Sequence, residues 1–322
     1  MRGALVNRGA FRLVGLLGRV SEETRVVVLA DFSTLDVAEP LVAAAFQLTK
    51  NVLLGVIPPR TLHGEELPDC VSALFKQADL VVAPMKTNIA HTSARFKAQA
   101  SGTRFIVLPE ATLELLMSPS LEADFEAIAP KVEYLADRLT KAGTARVSTP
   151  LGTDITMSLE GRTGRALTGF PTEKEISAGP CIEASIAPIE TSANGRIIVD
   201  ASIPGIGLID EPFTIEVSSG RVTSMSGGPK ATEFAELLRR TGDPNIYHIA
   251  ELGIGMNPKC ELEGSMLTDE GVAGTVHIAF GTSAYIGGVV EAAGHYDVLF
   301  GEASIELDGD LILADGQVIV RY

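Results

Sequence analysis

Residues Arg25–Ala30 read RVVVLA, are bounded by Asp31, and are followed by a helical pattern over Val37–Leu48. A short apolar run without alternation leaves no polar face for water, which fits a strand of a parallel sheet covered by helices on both sides. The pairing of run and helix repeats outward from there. Asn51–Ile57 (NVLLGVI) precedes a helix around Cys70–Gln77, and Asp79–Ala83 (DLVVA) precedes one over Ile89–Ala100. Arg104–Leu108 (RFIVL) is followed by a long helix over Leu121–Lys141. Residues 1–142 therefore read as an α/β domain with a doubly wound parallel sheet. Its first strand runs into Ala30-Asp31-Phe32-Ser33 instead of G-x-G-x-x-G, so a nucleotide-binding role is not supported.

After Ala142 the composition changes. Ala145–Thr149, Asp154–Leu159, Cys181–Ile186, Gly195–Ile203, Phe213–Ser218 and Arg221–Ser226 are short and β-branched, separated by Gly, Pro, Asn and Asp. Asn194-Gly195 and Ser219-Gly220 mark tight turns. One helix interrupts over Ala231–Thr241, and hairpin-like segments Ser304–Leu307 and Leu311–Val320 follow. Residues 143–322 read as a β-rich α+β domain.

The 322 residues carry 26 Lys and Arg against 41 Asp and Glu, a formal charge of −15, and 46% are hydrophobic. That content supports a buried core, and the acidic balance argues against nucleic acid, whose phosphates need a basic field. The three cysteines Cys70, Cys181 and Cys260 have no paired spacing, which excludes a disulfide scaffold and fits a reducing compartment. No apolar stretch reaches 18 residues, so no membrane partner is expected. The basic, amphipathic opening MRGALVNRGAFRLVGLLGRV has Leu13, Val14, Leu16, Leu17 and Val20 at helical spacing. It reads as a packed N-terminal helix, with a targeting segment as the alternative. The expected location is the cytoplasm.

Candidate metal ligands concentrate in the second half. His277 lies in the apolar run GTVHIAFG, and His295 and Asp297 form H-Y-D, an i, i+2 pair that shares one face of an extended strand. Imidazole and carboxylate together are the usual donors for Zn²⁺ or Fe²⁺. Glu251 in AELGIGMNP and Glu183 in PCIEASIAP are single charges in apolar surroundings, where an ionised carboxylate needs a partner or a metal. In NIAHTSARFKA, His91 opens a helix and Arg95 follows one turn later. At the end of a parallel sheet such a His serves as proton donor or acceptor, with Arg95 holding an anionic group.

The order PCIEASIAP, AELGIGMNP, GTVHIAFG and HYD resembles the thermophilic-type metallo-aminopeptidases and, equally, their relatives the 2,5-dihydroxypyridine 5,6-dioxygenases. The resemblance runs from the Arg25–Ala30 strand to LDGDLILADGQVIV. From the aminopeptidases it implies Glu183, Glu251, His277, His295 and Asp297 around two metals, with Tyr285 assisting. From the dioxygenases it implies one Fe(II) on His277, His295 and Asp297. The aminopeptidase pattern P-T-E-E is P-C-I-E here, one carboxylate short, and PTEKE at Pro171–Glu175 offers Glu173 as the alternative to Glu183.

The expected activity is a metal-dependent hydrolase of aminopeptidase type. Zn, Co or Mn would activate water against an amide of a small molecule or short peptide, with Glu183 as ligand or general base. The alternative is an Fe(II)-dependent dioxygenase cleaving a dihydroxylated N-heteroaromatic ring, with His91 as base. A non-catalytic small-molecule binding protein is the third reading. The resemblance implies a homo-oligomer, and loop Thr282–Ala293 is expected to shape specificity.

Overall fold

The computed structural model describes residues 2–319. Val320, the last residue of the expected Leu311–Val320 segment, lies outside the described residues. The chain up to Phe125, joined by Leu167–Pro180, forms one compact unit. Glu126–Ala166 and the chain from Cys181 onward form the other. Composition places the change near 142, because it registers where strands replace helices. The contacts place it near 125, since the long helix packs with the strands that follow it, and a later segment returns to the first unit.

The first unit carries β1 (Val26–Asp31), β2 (Val52–Ile57), β3 (Leu80–Met85) and β4 (Arg104–Pro109). They pair in parallel in the order β2-β1-β3-β4. Its helices are α1 (Arg2–Phe11), α2 (Leu35–Leu48), α3 (Asp69–Phe75), α4 (Ser93–Gln99) and α5 (Leu113–Met117). On one face Val27, Leu29, Val81 and Phe105 bury against Val71 and Phe75 of α3 and Ala94 and Ala98 of α4. On the other, α2 packs on β1. This is the doubly wound arrangement expected from the uninterrupted apolar runs.

Edge strand β2 departs from that pattern, since Leu53, Leu54 and Val56 are exposed. An apolar run reports hydrophobicity, whereas cover depends on a strand's place in the sheet. The N-terminal segment is packed: after α1 the chain winds wider over Arg12–Leu17, and Leu13, Val14 and Leu17 are fully buried. Gly9 makes that packing possible, because a Cβ there would stand 1.9 Å from the Leu116 carbonyl oxygen of α5.

The second unit opens with α6 (Phe125–Lys141, its first residue in the other unit), then β5 (Thr144–Ser148), β6 (Asp154–Ser158) and β7 (Arg165–Leu167). There follow β8 (Glu183–Ile186), β9 (Asn194–Val199), β10 (Ser202–Ile203), β11 (Gly207–Leu208), β12 (Phe213–Ser218) and β13 (Arg221–Ser226). After α7 (Pro229–Arg240) come β14 (Ile249–Gly255), β15 (Val276–Gly281) and β16 (His295–Phe300). The last strands are β17 (Ser304–Leu307), β18 (Asp310–Ala314) and β19 (Gln317–Val318).

They form an eight-stranded sheet, β13-β12-β9-β6-β5-β17-β18-β19, and a seven-stranded sheet, β11-β10-β16-β15-β14-β8-β7. In the first, β5, β6 and β12 alternate buried with exposed or half-buried residues, the signature of a sheet with one wet face. In the second, β8, β14 and β15 are buried at every residue.

Ser219-Gly220, both at positive φ, turns β12 into β13 as its sequence predicts. Asn194-Gly195 instead begins β9. A Cβ on Gly195 would stand 2.1 Å from the Asp154 carbonyl oxygen, so this glycine serves close strand approach. Among the described residues no helix is long and apolar enough to cross a membrane.

Phe105 is fully buried and meets Phe75 edge-on at 5.3 Å between ring centroids. Phe105→Ala is expected to cost about 3–5 kcal/mol in urea unfolding. A loss below about 1 kcal/mol would contradict this account of the first core.

Candidate metal centre

Four adjacent strands of the buried sheet carry all five expected donors: Glu183 on β8, Glu251 on β14, His277 on β15, and His295 and Asp297 on β16. The register decides where they point. Gly255 faces Glu183, Gly253 faces both Ser185 and His277, and Glu251 faces Ala279. Ala279 faces Asp297 and Gly281 faces His295. Residues directly opposite in antiparallel strands project to the same side, so the five donors share one face. Ser185, Gly253, Gly255, Ala279 and Gly281 stand among them, small residues that leave room above the strands, while Leu299 stands opposite His277 on the same face. At Gly253 the requirement is strict, because a Cβ would stand 1.9 Å from His277 Nε2. The imidazole lies across β14 and needs a glycine beneath it.

The donors fall into two groups joined at one residue. Donor atoms of Glu251, His295 and Asp297 lie within 4.8 Å of one another, as do those of Glu183, Glu251 and His277. His295 Nε2 is 3.0 Å from Glu251 Oε2 and 3.7 Å from Asp297 Oδ1, and His277 Nε2 is 3.3 Å from Glu183 Oε2. Glu251 thus occupies the place beside His295 and Asp297 that the resemblance gives to His277.

The tautomer of His295 is set by the backbone. Its Nδ1–H donates to the Thr282 carbonyl at 2.8 Å, which directs Nε2 toward the carboxylates. Metal-binding histidines are held in this way. Glu251 Oε1 and Glu183 Oε2 are buried without a hydrogen-bond partner, and both residues are less than 6% exposed. Buried oxygens in that state fit a cation, and imidazole with carboxylate is a donor set suited to Fe(II), Zn or Mn.

The electrostatics of the metal-free site follow from burial and proximity. Burial alone would lower the pKa of His295, but Asp297 and Glu251 outweigh it and raise the value to about 9. For Glu251 burial opposes ionisation, yet the hydrogen bond and charge of His295 hold its pKa down to about 2. Glu183 rises to about 7 through burial, against the pull of His277. Tyr285, whose ring centroid is 5.6 Å from that of His295, is pushed well above the ordinary phenol by burial and the neighbouring carboxylates.

Sequence reading overlooks three residues here. Glu270, in a turn before Gly271, joins Cys181 and Glu183 in a third group of close donors. Burial and the carboxylates of Asp297, Glu183 and Glu251 push its pKa well above the usual carboxylate range. Arg165, at the start of β7, is the cation whose charge opposes the rise of the Glu183 and Tyr285 pKa values. Neither residue stands in a strand-like apolar context, the signal that exposes Glu183 and Glu251. Cys181 was visible as the residue two before Glu183, on the same side of an extended chain.

Other expected residues lie elsewhere. Glu173 is exposed in a loop of the first unit, whereas Glu183 is in β8 among the donors. His91 stands one residue before Thr92, the N-cap of α4, in the segment leaving the carboxyl end of β3. Arg95, expected to hold an anion, is buried, and its guanidinium donates to the Ala90 carbonyl and to Gln99 Oε1 and stacks on Phe96. It braces the start of its own helix, because a guanidinium taken into a core satisfies its donors locally.

The profile of a protein family described as NicX: 2,5-dihydroxypyridine 5,6-dioxygenase matches residues 9–320. A protein of that name from Pseudomonas putida is 22% identical over 338 residues, covering 96% of this chain and 95% of the relative. The solved structure of 2,5-dihydroxypyridine dioxygenase from P. putida KT2440 aligns with a TM-score of 0.86 at 21% identity, covering 100% of this chain and 98% of that one. Wild-type AmpT from Thermus thermophilus aligns at 0.67 and 16% identity, over 99% of this chain and 100% of that one.

Gly253→Ala is expected to weaken metal binding about tenfold or more, with the fold retained by circular dichroism. Unchanged affinity would contradict the placement of His277. A bound ion must displace the protons of His295 and Glu183, so its affinity rises with pH. Calorimetry in buffers of different ionisation enthalpy should show about two protons released per ion below pH 7 and about one between pH 7 and 9. Release that does not change with pH would contradict this ligand set.

Proposed function

The chain belongs to the 2,5-dihydroxypyridine 5,6-dioxygenase family, and we propose that it is a ring-cleaving dioxygenase acting on 2,5-dihydroxypyridine or a close N-heteroaromatic diol. The family match over residues 9–320 overturns the expectation of a hydrolase. AmpT shares the architecture at 16% identity, which speaks for the fold alone. The aminopeptidase resemblance therefore reflected a common scaffold. The observation that carries the dioxygenase reading is this match together with an imidazole and carboxylate cluster on one sheet face.

The metal is Fe(II) in this reading, held by Glu251, His295 and Asp297, with His277 and Glu183 beside them. Bound there, Fe(II) would offer open positions to a chelating diol and O₂ and relay electrons from the diol to O₂. The protein's own groups prepare the site. The Thr282 carbonyl fixes the His295 ring. The buried strands keep bulk water from the carboxylates, which strengthens every charge interaction on that face. Tyr285 keeps its phenolic proton near neutral pH and is a hydrogen-bond donor for an ionised ring oxygen.

Anaerobically purified protein loaded with Fe(II) should consume O₂ and 2,5-dihydroxypyridine in equal amounts, with loss of the ring absorbance. His295→Ala should lower kcat/KM by about 10³-fold or more and release the iron. Turnover and iron retained in that variant, or amide cleavage with Zn and no O₂ uptake, would refute the proposal.

A further inference from the structure

The segment between β15 and β16 joins the site at two points: the Thr282 carbonyl orients His295, and Tyr285 packs against the same ring. The far side of this loop is held by two side chains from distant parts of the chain. Arg162 donates through Nη1 to the Gly287 carbonyl and through Nη2 to Glu190 Oε2 at 2.6 Å. Glu190 Oε1 in turn accepts from the Val289 amide at 2.8 Å. The four groups close a ring around the turn, where Gly287 has φ +100°. The Arg162 and Glu190 side chains are 12% and 15% exposed, while Val289 at the tip is 73% exposed.

An ion pair withdrawn from water to grip an exposed tip adds little to the core. It fixes the loop, because both partners bind main-chain atoms whose positions set the path from Ser283 to Val290. The root of the loop is closed separately by Ser283, whose hydroxyl accepts from the Val290 amide. We propose that Arg162 and Glu190 are positioning residues that lock the Thr282–Ala293 loop and hold Tyr285 over His295, setting the substrate-facing wall of the metal site. The catalytic arm of the test rests on the ring-cleaving reading, and the structural arm does not.

The test compares metal-loaded wild type, Arg162→Ala, Arg162→Lys and Glu190→Gln. Hydrogen exchange of the amides from 284 to 290 should speed up about tenfold or more in Arg162→Ala, with β14 and β15 unchanged. The Michaelis constant for 2,5-dihydroxypyridine should rise about fivefold or more while kcat changes less than about twofold. Lys reaches Glu190 but lacks the second fork of the guanidinium, so it should restore protection partially. Glu190→Gln keeps an acceptor for Val289 and loses the charge, giving an intermediate result and a second measurement should Arg162→Ala misfold. Loop exchange equal to wild type in Arg162→Ala and Glu190→Gln would overturn the proposal, as would a freed loop with an unchanged Michaelis constant. A wild type that releases no ring-opened product would refute the ring-cleaving reading alone, since loop exchange still decides the clamp.

Discussion

Four carboxylates, those of Glu183, Glu251, Glu270 and Asp297, share the buried surroundings of one sheet face with few opposing charges. Left to themselves they cannot all ionise, because each charge is taken out of water and placed beside like charges. Protons relieve this in part: His295 is held cationic, and Glu183 and Glu270 are harder to ionise than ordinary carboxyls. A divalent cation relieves it more completely, since it replaces the protons of His295 and Glu183 and satisfies the orphaned oxygens of Glu251 and Glu183.

The rest of the second unit makes this crowding possible. Antiparallel pairing of β8, β14, β15 and β16 brings together residues that lie as much as 114 positions apart, as Glu183 and Asp297 do (297 − 183 = 114). Glycine and alanine between the donors keep the floor of the site low. Hydrogen-bonded backbone holds the ligands, so their spacing resists thermal motion better than it would on loops. The one irregular wall, from Thr282 to Ala293, is held at its root by Ser283 and along its far side by Asp243, Asn245, Arg162 and Glu190.

Much of this was legible in the chain. Continuous apolar runs marked the parallel sheet, and isolated charges within apolar strands marked Glu183, Glu251 and His277. The i, i+2 spacing of His295 and Asp297 placed both on one side of a strand. In AELGIGMNP the face-sharing positions are Glu251, Gly253 and Gly255, a pattern that already leaves space for a neighbouring side chain. Glu270 and Arg165 were not legible, because their roles come from strand register and turn geometry joining distant segments. Arg95 misled for a related reason: one turn of helix puts it near His91 in sequence, but tertiary burial turned its donors to the Ala90 carbonyl and Gln99. The balance between hydrolase and dioxygenase was beyond the ligand types, since both chemistries draw on the same imidazoles and carboxylates.

The central claim is that this sheet face gathers a cation, and diffraction locates one directly. Crystals grown without oxygen in the presence of Fe(II) should show an anomalous peak at the iron edge about 2.0–2.3 Å from the donor atoms of Glu251, His295 and Asp297. A map with no peak on this face, or with iron bound only at surface carboxylates, would contradict it.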